Sequence, residues 1–127
     1  MLSTIQTDQA PQAIGPYSQA IVCNGFVFVS GQIPLVAETG ELLEGTIEEQ
    51  TKLVMDNLSR ILQSAQSSLD KVVKTTIYLK DLNDFNEVNR VYGEFFPNHK
   101  PARACVEVAK LPKDVAIEID AIAACGS

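Results

Sequence analysis

Tryptophan is absent from this 127-residue chain, histidine occurs once, and cysteine occurs three times. The lone histidine, His99, follows Pro97-Asn98 in a loop context and reads as solvent-facing, so a Ser-His-Asp or Cys-His mechanism has little support. Cys23, Cys105 and Cys125 are odd in number and lack CxxC spacing, which suggests neither a disulfide framework nor a zinc knuckle and fits a reducing cytoplasm. Long hydrophobic runs are missing too. None approaches the ~18 residues of a membrane span, and the N-terminal stretch carries neither a basic start nor an apolar core for export. Positive charge is scarce, with 16 acidic against 10 basic residues and a net charge of -6. That balance repels phosphate backbones and leaves no basic stripe, which disfavours nucleic-acid binding. Linkers, internal repeats and low-complexity tracts are likewise lacking. A single domain over 1–127 is therefore expected, large enough to bury roughly two thirds of its unfolded surface without staples.

What the chain does have is clear periodicity. Ala20 to Cys23 and Phe26 to Ser30 are β-branched or aromatic runs separated by Asn24-Gly25, a strong hairpin signal. Ser30-Gly31-Gln32-Ile33-Pro34 then breaks the strand. Thr46 with Glu49 makes a capping-box pattern, and Val54, Leu58, Ile61, Leu62 and Ala65 follow at helical spacing, predicting a long amphipathic helix. A β-rich run spans Leu69 to Leu82. Asp84 with Glu87 opens a second helix whose apolar face is Phe85, Val88, Tyr92 and Phe95, stopped by Pro97. Arg103 to Ala109 and Val115 to Ala124 are the last strands, and the connection Lys110 to Asp114 has a length suited to an antiparallel hairpin.

The order ββ-α-β-α-ββ predicts an α+β sandwich, with two helices on one face of an antiparallel-rich mixed sheet. Ile117, Ile119, Ala121 and Ala123 alternate with Ile122 and Ala124, so the final strand is apolar on both faces. Helices cover only one face, and a symmetric subunit contact is the expected cover for the other.

One residue interrupts the apolar pattern. Arg103 lies in Pro101-Ala102-Arg103-Ala104-Cys105-Val106-Glu107-Val108-Ala109, a stretch that reads as a largely buried strand. A guanidinium cannot lose its charge, so its burial demands a bound anion or a carboxylate partner. A carboxylate-bearing ligand is one reading; an ion pair with Glu107, Glu118 or Asp120 is the other. Counting the expected hairpin symmetrically sets Arg103 opposite residues 119 to 121, with Glu118 one diagonal step away and Cys105 on the face of Arg103. A cation, a thiol and a carboxylate then converge, unless a one-residue slip parts them. Cys105 is more often an inert small hydrophobe than a nucleophile, since no base adjoins it in sequence. Ser30-Gly31 lets the backbone approach a ligand or merely turns the chain. Tyr17, within Gly15-Pro16-Tyr17-Ser18, is core filler or a pocket wall. Asn89 on the second helix is a surface residue, a cap or a ligand contact.

Six segments in order carry a resemblance. They are Ala13-Ile14-Gly15-Pro16-Tyr17-Ser18-Gln19-Ala20, Ser30-Gly31-Gln32-Ile33-Pro34, Val73-Lys74-Thr75-Thr76, Asp84-Phe85-Asn86-Glu87-Val88-Asn89, Pro101-Ala102-Arg103-Ala104-Cys105 and Ile117-Glu118-Ile119-Asp120-Ala121-Ile122-Ala123. Together they resemble the RidA (YjgF-type) enamine/imine deaminases over essentially the whole chain. The resemblance implies a chorismate-mutase-like fold assembled as a homotrimer, with the sheets forming an inner barrel and ligand clefts between subunits. It implies hydrolysis of 2-aminoacrylate or 2-aminocrotonate and their imine tautomers, 2-iminopropanoate and 2-iminobutanoate, to 2-oxo acids and ammonia, with no metal or organic cofactor.

On the matching positions, Arg103 would hold the substrate carboxylate by a bidentate pair and Gly31 would add a backbone donor. Tyr17, Ser30 and Asn89 would shape the cleft, Tyr17 from the neighbouring subunit. Glu118 would position the attacking water and shuttle protons, while Cys105 would line the site without acting as a nucleophile. Lys100 stands where many relatives carry an aromatic residue, which leaves that pocket wall and its substrate preference open. Three other functions stand beside this one: a non-catalytic module binding or sensing 2-oxo acids, a ribonuclease or translation inhibitor, and a holdase-like chaperone. The acidic charge and the missing second histidine argue against the ribonuclease.

Overall fold

The computed structural model describes residues 2–125 and begins with a strand that no periodic signal announces. This is β1 (Ser3–Ile5), antiparallel to β2 (Ala20–Cys23). A tight turn then joins β2 to β3 (Phe26–Gln32), with Cys23 opposite Phe26. Asn24 at φ 53 and Gly25 at φ 81 supply the left-handed backbone that a two-residue hairpin turn requires.

Next comes α1 (Ile47–Ser64), opened by the expected capping box. The Thr46 hydroxyl accepts from the Glu49 N–H at 3.1 Å, and the Glu49 carboxylate accepts from the Thr46 N–H at 2.9 Å. Its apolar stripe, with Val54, Met55, Leu58, Ile61 and Leu62 buried, packs against β3 and the last strand. The remaining elements are β4 (Val72–Leu79), α2 (Phe85–Glu94), β5 (Ala102–Glu107) and β6 (Ile117–Ala124). The result is two helices on a six-stranded mixed sheet of order β1-β2-β3-β6-β4-β5, with β4 and β5 parallel and the other pairs antiparallel. No helix among the described residues is long and apolar enough to cross a membrane.

The expected hairpin of the last two strands does not form. A helix between two strands returns the chain to run in the same direction, so α2 makes β5 a parallel neighbour of β4. The segment after β5 then crosses to the sheet interior through a short 3-10 turn at Pro112–Asp114, where Lys113 and Asp114 both adopt positive φ. There β6 lies between β3 and β4, and Ile117, Ile119, Ala121 and Ala123 are all buried.

A second correction concerns β5 itself. It is an edge strand rather than a largely buried one, with Cys105 half-buried and its other residues exposed. On the face away from the helices, Phe26, Phe28 and Val106 are exposed apolar residues, beside the half-buried Ile122.

Candidate active site

Register decides which way Arg103 points. Thr75 lies opposite both Arg103 and Ala121, and Thr75 and Ala121 are buried on the helix side of the sheet. The Arg103 side chain therefore rises toward α2. There its Nη1 donates to Asn89 Oδ1 at 2.6 Å, and its Cζ lies 5.4 Å from the Phe85 ring centroid and 5.2 Å from that of Tyr92. Phe85, Asn89 and Tyr92 share one face of α2 by their helical spacing. A guanidinium over an aromatic face gains roughly 0.5–1 kcal/mol at an exposed site, and the two rings also restrict its plane. Tyr92 is held in turn, because its hydroxyl shares a 2.7 Å hydrogen bond with that of Thr75.

The acids offered by the ion-pair reading are engaged elsewhere. Glu107 accepts from the Leu82 N–H at 2.8 Å, and Asp120 accepts from the Tyr78 hydroxyl at 3.0 Å. Among the described residues, no carboxylate lies within ion-pair range of Arg103. Arg103 instead lines an open cleft of about 430 Å³ with Asn89, Tyr92, Gly93, Phe96, Lys100 and Pro101. Asn89 is thus a guanidinium partner rather than a plain surface residue.

Cys105 shares the helix-facing side with Arg103 and lines an adjoining depression with Leu82, Asn83, Phe85 and Asn86. Burial pushes its thiol pKa up, against a smaller opposing pull from Arg103. A raised thiol stays protonated near neutral pH and makes a wall, not a nucleophile.

Glu118 belongs to a different surface. It lies opposite Tyr78, three residues beyond Thr75 on β4, and so leaves the other face of the sheet. The β3–β6 register shifts between Val29 and Gln32, which makes Ser30-Gly31 a bulge beside it. A Cβ at position 31 would fall on the Glu118 Oε2 and lie 2.8 Å from its Cδ, so glycine is required for the carboxylate to sit there. Ser30 ties the bulge to the turn carrying Tyr17: its hydroxyl donates to Ser18 O at 2.6 Å and its N–H to Gln19 O at 3.0 Å. Tyr17 is half exposed, and its hydroxyl accepts from the Ile14 N–H at 3.4 Å. Tyr17, Ser30, Gly31 and Glu118 line one cleft of about 550 Å³. Desolvation, reinforced by Asp120, holds the Glu118 carboxyl above its ordinary pKa.

The sequence-predicted residues therefore form two groups. Arg103, Asn89 and Cys105 gather under α2, while Tyr17, Ser30, Gly31 and Glu118 gather at the bulge. The expected convergence of Arg103 with Glu118 within one chain fails, because β4 separates their strands and the two side chains leave opposite faces. Phe85, Tyr92 and Thr75, which brace the guanidinium, are additions from the structure. The only available signal for the two rings was their helical spacing with Asn89. His99 is also corrected: its Nε2 lies 2.6 Å from Val72 O, pinning the loop to β4 rather than facing solvent. Among the described residues, no group of three or more His, Cys, Asp or Glu converges to hold a metal.

Comparisons place this architecture among known proteins. The profile described as Endoribonuclease L-PSP matches residues 7–125. A RutC family protein of Pyrococcus abyssi is 59% identical over 119 residues, covering 94% of each chain. TdcF of Escherichia coli, named a candidate reactive intermediate deaminase, is 44% identical over 126 residues and 97% of each chain. Its crystal structure with bound serine matches at a TM-score of 0.92, covering 98% of this chain and 99% of that one. The YjgF gene product of Escherichia coli matches at a TM-score of 0.91 and 46% identity, over 96% of this chain and 98% of that one. The chain belongs to the Endoribonuclease L-PSP family, the RidA (YjgF-type) group that its six motifs resemble.

Proposed function

We propose that this chain hydrolyses reactive enamines and imines, 2-aminoacrylate/2-iminopropanoate and 2-aminocrotonate/2-iminobutanoate, to 2-oxo acids and ammonia in clefts shared between copies. The observation that carries the reading is Arg103, a guanidinium with no acid in ion-pair range among the described residues, braced by Asn89 and two rings at the edge of a cleft. A substrate carboxylate is its natural counterion, in a charge-assisted contact worth roughly 1.5–3 kcal/mol. The bound serine of TdcF, a small amino acid with such a carboxylate, supports this occupant.

Glu118 supplies the second half of the chemistry. Its raised pKa suits a group that takes a proton from the attacking water and returns it to the departing nitrogen. The water oxygen bonds to the imine carbon, the carbon–nitrogen bond breaks, and C=NH2+ plus H2O becomes C=O plus NH4+. Cys105 remains a neutral wall. Because Arg103 and Glu118 leave opposite faces, a complete site needs the Arg103 group of one copy and the Glu118 group of another. A second copy seated on the exposed apolar face at Phe26, Phe28 and Val106 would provide that arrangement, and the family resemblance suggests a homotrimer. Three free thiols suit the reducing cytoplasm, where pyridoxal-phosphate-dependent dehydratases release such imines. The ribonuclease activity in the family's description has neither a histidine pair nor a basic charge balance behind it here.

Subunit complementation tests the proposal. Arg103→Ala and Glu118→Gln proteins should each leave semicarbazide-trapped imine hydrolysis at the spontaneous rate. In trimers assembled from equal amounts of both, about a quarter of the clefts pair an intact Arg103 with an intact Glu118, so about a quarter of wild-type activity should return. Verified mixed oligomers with no recovery would refute the shared cleft. Wild-type protein that fails to exceed spontaneous hydrolysis would refute the activity.

A further inference from the structure

The cleft under Arg103 holds a second cation. Lys100 lines it together with Arg103, and among the described residues no acidic side chain does. In a chain of net charge -6, a two-cation wall without an acid runs against the overall balance. The Lys100 Nζ donates to Phe96 O at 2.6 Å, which fixes the ammonium at the C-terminal end of α2 with one of its three donors. Among the described residues, neither cation has a carboxylate in ion-pair range. The adjacent His99 is tied to Val72 O, so Lys100 springs from a pinned backbone. Positions 100 and 103 lie within ~10 Å of extended chain, a span that two long side chains bridge when they line one cleft.

We propose, resting on the deaminase reading above, that Lys100 is a specificity-determining residue directing the site toward imines of dicarboxylic 2-amino acids. Arg103 takes the carboxylate beside the imine carbon and Lys100 takes the side-chain carboxylate. An alkyl side chain leaves the ammonium with only water to bind; a second carboxylate pairs with it. For 2-iminosuccinate, water adds to the imine carbon and the nitrogen leaves as ammonium, giving oxaloacetate with both carboxylates unchanged. Two-electron oxidation of a dicarboxylic amino acid at its amino-bearing carbon is the reaction class that supplies such an imine.

Competition between two imines generated in place tests the assignment: 2-iminosuccinate from aspartate by a flavin-dependent oxidase, and 2-iminopropanoate from serine by a dehydratase. The quantity to read is the ratio of their kcat/KM values in wild type, Lys100→Met, Lys100→Glu and Lys100→Arg. The ratio for the dicarboxylate over the monocarboxylate should fall at least about tenfold in Lys100→Met, as expected for one lost charge-assisted contact. It should fall further in Lys100→Glu and recover in Lys100→Arg. A ratio indifferent to the charge at position 100, with 2-iminopropanoate still turned over, overturns the specificity assignment alone. Acceleration of neither imine by wild type overturns the deaminase reading and this assignment with it.

Discussion

Beneath the guanidinium of Arg103, Thr75 is 1% exposed and Tyr92 6%, and their hydroxyls meet at 2.7 Å. Tyr92→Phe keeps the ring but strands the Thr75 hydroxyl in the core. The lost bond and the desolvated hydroxyl together should cost about 1–3 kcal/mol. Thr75→Val keeps the β-branched shape and strands the Tyr92 hydroxyl instead, at a cost of about 1–2 kcal/mol. The double variant strands neither group, so it should lose less than about 1 kcal/mol relative to wild type. A double-mutant cycle should therefore return a coupling of about 1–5 kcal/mol, well outside additive behaviour. Urea unfolding followed by circular dichroism measures it, at one fixed protein concentration so that the proposed assembly contributes equally to every variant. Single-variant costs that add to the double-variant cost within about 0.5 kcal/mol would refute the coupling.

Two further outcomes follow from the bulge surface. Gly31→Ala drives a Cβ onto the Glu118 carboxylate, and the flexible side chain must swing aside. The fold should survive at an overpacking cost of about 1–3 kcal/mol while imine hydrolysis falls at least about tenfold, and unimpaired hydrolysis would contradict the placement of Glu118. The Glu118 pKa is raised in the fold, first by desolvation and then by Asp120, so its stabilising share is complete below the unfolded carboxylate pKa and is lost as pH rises through the folded value. Glu118→Gln should accordingly raise Tm at pH 7 and lose that advantage as pH falls through the carboxylate range. A gain of equal size at every pH would remove ionisation as its cause.

Local signals carried the parts of the fold that local physics decides. Asn24-Gly25 turns the hairpin at positive φ, and Thr46 with Glu49 closes the capping box of α1. Partner choice among strands was less legible. Lys110 to Asp114 has hairpin length, yet α2 dictates that β5 runs parallel to β4. The clue was the two-sided apolar pattern of β6, which suits the middle of a sheet better than an edge. β1, at three residues, is too short to show any period. Within the site, the residue types at Arg103, Glu118, Cys105 and Gly31 stood out, but their grouping depends on which face each strand turns outward. Phe85 and Tyr92 read as core filler, because aromatic side chains on a helical stripe look alike whether they meet leucines or a guanidinium.

Two strand spacings, ~10 Å, and the thickness of the sheet lie between the guanidinium and the carboxylate of any single copy. Within one copy, changes at those two places that touch only the stability of the chain add. A substitution around position 100 can therefore leave the strand geometry beside Gly31 undisturbed. The two surfaces can vary one at a time, each leaving the backbone of the other in place.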